Sequence, residues 1–132
     1  MSFTIKNGIG EGCIMNKSLL IIEDNENLRD FYSSALAELN IDVHTAGDGI
    51  EAFKKIAQKE YDLYIVDIFL PNITGLEVIK VIRERYEKAK ILIVSAAATD
   101  AITEEAMRLG AAALLRKPFR LNELREAVAK LI

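Results

Sequence analysis

The sequence predicts a doubly wound α/β domain: a five-stranded parallel sheet covered by five helices. Three observations carry that prediction. From residue 17 to residue 132, short apolar runs alternate with amphipathic segments five times. The runs are nearly continuous in apolar residues, as strands buried on both faces are, and right-handed crossovers between such strands place helices on both sides of the sheet. Helix start and stop signals fall between the runs where that alternation needs them.

In chain order, "SLLIIE" is the first strand, and the helix after it carries Leu28, Phe31, Ala35, Leu36 and Leu39 at helical spacing. "IDVHTA" is the second strand. "DGIEAFKKIAQK" is a helix with Asp48 as N-cap, Glu51 three residues later, and Ile50, Phe53, Ile56 and Ala57 along one face. "YDLYIVD" is the third strand; Thr74 and Glu77 then form a capping-box pair opening a helix through about Tyr86, with Leu76, Ile79 and Ile82 inward. "AKILIVSA" is the fourth strand. A helix from about Asp100 to Leu109 ends at Gly110, which suits a left-handed cap, "AALLRK" is the short fifth strand, and the last helix uses Leu121, Leu124, Val128 and Leu131.

Residues 1–16 lack a sustained period and read as a mobile extension ahead of a single domain over residues 17–132. The extension's "GIGEG" resembles a phosphate loop only superficially. A dinucleotide fingerprint follows a strand and opens a helix, whereas these glycines precede the first strand.

Composition narrows the function classes. The chain is 51% hydrophobic and 28% charged, the balance of a globular protein able to build one core without disulfides. Its net charge is -3 with the basic residues dispersed, so direct nucleic-acid binding is not expected. The single cysteine, Cys13, has no partner for a disulfide or a metal, which suits a reducing cytoplasm. No apolar run approaches the roughly 18 residues of a membrane span, and no secretion signal opens the chain, so a cytoplasmic protein without a membrane partner is expected.

In doubly wound sheets, ligands sit beyond the carboxyl ends of the strands. The residues there are Glu23 and Asp24 after the first strand, Asp67 after the third, Ser95 after the fourth, and Lys117 followed by Pro118 after the fifth. Crowded carboxylates repel unless a cation compensates them, and a hard oxygen set suits Mg²⁺. Mg²⁺ held by few carboxylates keeps positions for phosphate oxygens, so phosphoryl chemistry is the natural use, with Asp67 as nucleophile and the metal and an ammonium stabilising the transferring group.

At these residues the chain resembles a known family. "LLIIEDNENLRD", "YIVDIFLPNITGLEVI", "ILIVSA" and "GAAALLRKPF" together resemble the receiver domain of two-component response regulators, over nearly all of residues 17–132. The resemblance implies the flavodoxin-like strand order 2-1-3-4-5. It implies that Glu23 and Asp24 are the acidic pair at Mg²⁺, with Asp24 a direct ligand, and that Asp67 is both ligand and phosphoacceptor. By the same resemblance the Phe69 backbone carbonyl completes the metal shell, Ser95 senses the phosphoryl group, Lys117 pairs with its oxygens, and the bond before Pro118 is cis. The implied partners are a sensor histidine kinase or phosphotransfer protein, a downstream protein or output domain, and a phosphorylation-dependent dimer. Such a domain catalyses its own phosphorylation and dephosphorylation and turns over no external substrate.

Some positions depart from the family pattern. Leu114 stands where an aromatic ring is common, so activation through that ring is not expected. Phe69 and Ala97, two residues beyond Asp67 and Ser95, are apolar and offer no side chain to orient water, from which slow loss of the phosphoryl group or dependence on a partner phosphatase is expected. Plainer roles stand beside the sharper ones: Asp67, Glu23 and Asp24 as helix-capping acids, Ser95 and Lys117 as structural or solvated residues, and His44 as a locally bonded surface histidine. The Lys54, Lys55 and Lys59 cluster reads as a wet helix face, and Phe119 and Met107 fit either a partner face or core packing. Two other functions compete. One is an interaction module with an unused site. The other is a phosphatase with an aspartyl-phosphate intermediate, disfavoured by Phe69 where a second aspartate would stand.

Overall fold

A computed structural model describes residues 17–96 and 100–132. The expectations placed on residues 1–16 and on Ala97 fall outside the described residues. In order, the chain forms β1 (Lys17–Ile22), α1 (Glu26–Ala37), β2 (Ile41–Ala46), α2 (Gly49–Gln58), β3 (Leu63–Asp67), α3 (Gly75–Arg85), β4 (Ile91–Ser95), α4 (Asp100–Arg108), β5 (Ala113–Arg116) and α5 (Leu121–Leu131). The strands form one sheet in the order β2-β1-β3-β4-β5, every pair parallel. The alternation of elements is as the sequence predicts, and the strand order is the one that the resemblance implies.

Strand periodicity divides the interior into two cores, because successive side chains leave opposite faces of the sheet. Leu20, Ile22, Tyr64, Val66, Ile91 and Ile93 face α2, α3 and α4, and pack with Ala52, Ile56, Val78, Ile79, Ile82 and Ala106. Leu19, Ile21, Leu63, Ile65, Leu92 and Val94 face α1 and α5, and pack with Tyr32, Leu36, Leu124 and Val128. The three inner strands are therefore apolar on both sides, which is why their runs carry no polar alternation.

Helix starts follow the expected chemistry. Asp48 accepts from the Glu51 N–H, and Thr74 accepts from the Glu77 N–H. Gly110, at φ 96, lies in the left-handed region after α4.

Two helix faces differ from expectation. In α1 the buried residues are Tyr32, Ala35 and Leu36, while Phe31 is 55% exposed, and Leu39 falls in the turn after the helix and is exposed. At about 100° per residue, Tyr32 lies roughly 40° from Leu36 around the helix and Phe31 roughly 140° away. In α2 the inward residues are Gly49, Ala52 and Ile56, while Ile50 and Ala57 are exposed. The same rotation puts Ile50 about 120° from Ile56.

Candidate functional site at the carboxyl ends of the strands

The site follows from where the strands stop. β1 is prolonged one residue beyond Ile22 by the Glu23 N–H donating to Ala46 C=O at 3.1 Å, which carries Glu23 to the sheet edge. β3 ends on Asp67 in register with Val94, and the Lys117 N–H donates to Ser95 C=O at 2.9 Å. Parallel pairing therefore delivers residues far apart in sequence to one edge.

Glu23, Asp67 and Ser95 are buried there, Asp24 is exposed and Lys117 is half-buried. One carboxylate oxygen from each of Glu23, Asp24 and Asp67 lies within 4.8 Å of the others. The Lys117 ammonium donates to Glu23 Oε1 at 2.8 Å and to Asp67 Oδ2 at 3.2 Å. Asp67 Oδ1 accepts from the Phe69 N–H at 3.0 Å, and Glu23 Oε2 accepts from the Asn25 N–H at 3.2 Å. The bond between Lys117 and Pro118 is cis, as the resemblance implied.

The capping alternatives do not describe these acids. The N-cap of α1 is Asn25, whose side chain accepts from the Leu28 N–H, and the N-cap of α3 is Thr74. Glu23, Asp24 and Asp67 are thus free of helix-capping duty at the elements they precede.

Electrostatics explain what the cluster needs. Burial is the main reason the Glu23 carboxyl is pushed above its ordinary pKa; the Asp67 charge adds to the rise, while hydrogen bonds from Lys117 and Asn25 oppose it. For Lys117 burial pulls downward. The Glu23 hydrogen bond and the charges of Asp67 and Glu23 outweigh it and hold the ammonium above its ordinary value. The carboxyl groups of Glu23, Asp24 and Asp67 thus converge on one edge, and a clustered set of hard oxygen ligands fits Mg²⁺.

Ser95 adds a second sign of an unfilled role. Its Oγ is buried and has no hydrogen-bond partner among the described residues. Such a group costs free energy unless a ligand or a second conformation satisfies it.

Other candidates are now placed. Phe69 is 48% exposed with an apolar side chain, and Leu114 is half-buried against the core beside α4. Phe119 stacks on Tyr32 at 5.6 Å between ring centres, whereas Met107 is exposed, so the two part company. His44 is locally bonded, with Nε2 3.1 Å from Asp42 Oδ2 and Nδ1 3.1 Å from the Tyr61 hydroxyl. The lysine cluster is not uniformly wet: Lys54 and Lys59 are exposed, but Lys55 turns back to donate to the Thr45 carbonyl.

Sequence reasoning missed two features. Arg29 donates to the backbone of the loop carrying Glu23 and Asp24. An apolar recess of about 410 Å³ also opens beside Lys117, lined by Leu28, Phe31, Tyr32, Ala96, Pro118 and Phe119 among others. An exposed Phe31 off the core face of α1 was the signal that could have found the recess.

Comparison with known proteins agrees with the geometry. The family model for the response regulator receiver domain matches residues 19–129. The regulator of RpoS from Escherichia coli (strain K12) is 34% identical over 116 residues, 87% of this chain and 34% of that protein. Sporulation initiation phosphotransferase F of Bacillus subtilis (strain 168) is 26% identical over 117 residues, 89% of this chain and 94% of that one. The chain thus spans about a third of the first relative and nearly all of the second. Among solved structures, Vibrio cholerae chemotaxis protein CheY4 superposes with a TM-score of 0.84 at 28% identity, covering 89% of this chain and 100% of that one. A match over 19–129, one sheet order and one acidic edge agree, and the chain belongs to the response regulator receiver domains, the phosphorylation-controlled switches of two-component signalling.

Proposed function

We propose that this receiver accepts a phosphoryl group on Asp67 from the phosphohistidine of a sensor histidine kinase or phosphotransfer protein. The observation that carries the reading is the Asp67 carboxylate itself. It is buried, anchored by Lys117 and the Phe69 N–H, and has carboxylate oxygens of Glu23 and Asp24 within 4.8 Å.

In the transfer, a carboxylate oxygen of Asp67 forms a bond to phosphorus as the donor's P–N bond breaks. The electron pair leaves with the imidazole nitrogen. Glu23, Asp24, Asp67 and the Phe69 carbonyl are the groups assigned to hold Mg²⁺, with Asp24 a direct ligand. When bound, Mg²⁺ supplies Lewis-acid stabilisation of charge on the transferring oxygens. Lys117 already lies between Glu23 and Asp67 and is placed to pair with a phosphoryl oxygen. Ser95 brings from the neighbouring strand a hydroxyl with no partner among the described residues. Their shared role is to bias the domain toward a second conformation once Asp67 carries the group.

The recess beside Lys117 offers the donor protein apolar surface next to the acceptor. Downstream, the switched state acts on a partner protein, on an output domain or through a dimer. Because the Phe69 side chain is exposed and apolar, it brings no polar atom to an attacking water, and slow loss of the phosphoryl group belongs to the same proposal. Self-catalysed phosphorylation and dephosphorylation in the cytoplasm complete it. None of the described helices is long and apolar enough to cross a membrane.

Incubation with a small acyl phosphate and Mg²⁺, followed by intact mass, tests the function. One added phosphoryl group, absent without Mg²⁺ and absent in Asp67→Asn, is expected. No gain would leave a receiver fold used only for protein contacts.

A further inference from the structure

Arg29 is part of neither core, yet its guanidinium is held by two backbone carbonyls. Its Nη1 donates to the backbone carbonyl of Glu23 at 2.8 Å and to that of Asp24 at 3.1 Å. Those carbonyls belong to the two peptide groups flanking the Asp24 Cα. Each peptide group is planar, so fixing both fixes φ and ψ of Asp24 and the direction of its Cα–Cβ bond. The Asp24 carboxylate is exposed, and packing does not orient it.

The loop after β2 also lies against this guanidinium. A Cβ on Gly47 would lie 2.9 Å from Arg29 Nη1 and 3.3 Å from its Cζ. That loop is itself tied down, because the Gly47 N–H donates to Glu51 Oε1 at 2.6 Å. Arg29 therefore lies against both the acidic loop and a glycine surface that leaves room for it.

We propose that Arg29 is a positioning residue for the divalent cation: it orients the Asp24 carboxylate by clamping both adjoining peptides. The proposal rests on reading Glu23, Asp24 and Asp67 as the metal-holding set. Its sign separates it from simple electrostatics. A cationic side chain close to a bound cation repels it, so removing the charge alone would tighten metal binding. Removing a clamp on a ligand loosens it, and partners that orient metal ligands are commonly worth 10–100-fold in affinity.

The test is Mn²⁺ binding, followed by the loss of the free-ion electron paramagnetic resonance signal on titration with the intact chain, Mn²⁺ standing in as another hard cation. Arg29→Met is expected to weaken Mn²⁺ binding about tenfold at unchanged far-ultraviolet circular dichroism. Arg29→Lys keeps the charge and a donor on a shorter side chain, and falls between Arg29→Met and the wild type. Gly47→Ala keeps the guanidinium and displaces it; it is expected to weaken binding as well and carries the test if Arg29→Met fails to fold. Equal or tighter binding in Arg29→Met, or in Gly47→Ala should the first not fold, overturns the clamp. Asp24→Asn separates the two readings: if the wild type fails to bind Mn²⁺, or Asp24→Asn binds as the wild type does, the metal site itself is wrongly assigned and the clamp falls with it.

Discussion

Lys117 and Glu23 meet directly, with the ammonium nitrogen 2.8 Å from Glu23 Oε1, and the same nitrogen reaches Asp67 Oδ2 at 3.2 Å. One cation thus joins the ends of β1, β3 and the turn after β5 across 94 residues of sequence. It neutralises part of a carboxylate cluster that would otherwise repel itself.

The proposal that Glu23, Asp24 and Asp67 hold Mg²⁺ carries an expectation for stability. A ligand that binds only the folded state at 100 times its dissociation constant adds about 2.7 kcal/mol. Urea midpoints measured with Mg²⁺ and with chelator should differ by that order in the wild type, and the difference should largely vanish in Asp24→Asn.

Ser95 gives a prediction of unusual sign. Its buried hydroxyl has no partner among the described residues, so Ser95→Ala should stabilise the unphosphorylated state by about 1 kcal/mol. Denaturant melts of the two proteins check it. The same variant should show a smaller change in amide hydrogen exchange on phosphorylation.

Gly75 lies against the end of β3. A Cβ there would come within 2.3 Å of the Asp67 carbonyl oxygen and 2.6 Å of the Ile68 Cα, both backbone atoms that cannot rotate aside. Gly75→Ala should cost on the order of 2–3 kcal/mol by overpacking, read as a lower urea midpoint. Because the displaced segment carries Asp67, phosphorylation should slow as well.

Alkaline stability is set in part by Tyr64. Burial is the main force raising its phenol, to about 12, and its oxygen accepts from the Tyr61 N–H at 3.0 Å. A folded pKa above the unfolded value near 10 means the extra stability is present below pH 10 and is lost as pH rises toward 12. Tyr64→Phe should be less stable at neutral pH by about 1–3 kcal/mol, since it orphans the Tyr61 N–H. It should also lose less stability than the wild type between pH 10 and 12, as measured by urea melts across that range.

Much of this was legible in residue order. Apolar runs ending in Asp67 and Ser95 announced buried parallel strands with a polar edge, and the Asp48 and Thr74 caps were found where their chemistry placed them. What escaped was rotational and tertiary. Phe31 and Ile50 satisfy helical spacing by eye, yet Tyr32 and Ala52 occupy the buried faces, because a turn of 3.6 residues separates neighbours that apolarity alone cannot rank. Arg29 was invisible for a different reason. Its partners are backbone carbonyls, which leave no mark in the sequence, and its space depends on a glycine eighteen positions away.

The central claim is that Asp67 carries the phosphoryl group as an acyl phosphate, and hydride trapping tests it most directly. Borohydride reduces an acyl phosphate but leaves a free carboxylate intact, so the phosphorylated chain is reduced, digested and mapped by mass. Reduction confined to the peptide containing Asp67, and only when Mg²⁺ accompanied the phosphodonor, is the predicted result. Reduction at Asp24, Glu23 or another carboxylate with Asp67 untouched would contradict the account.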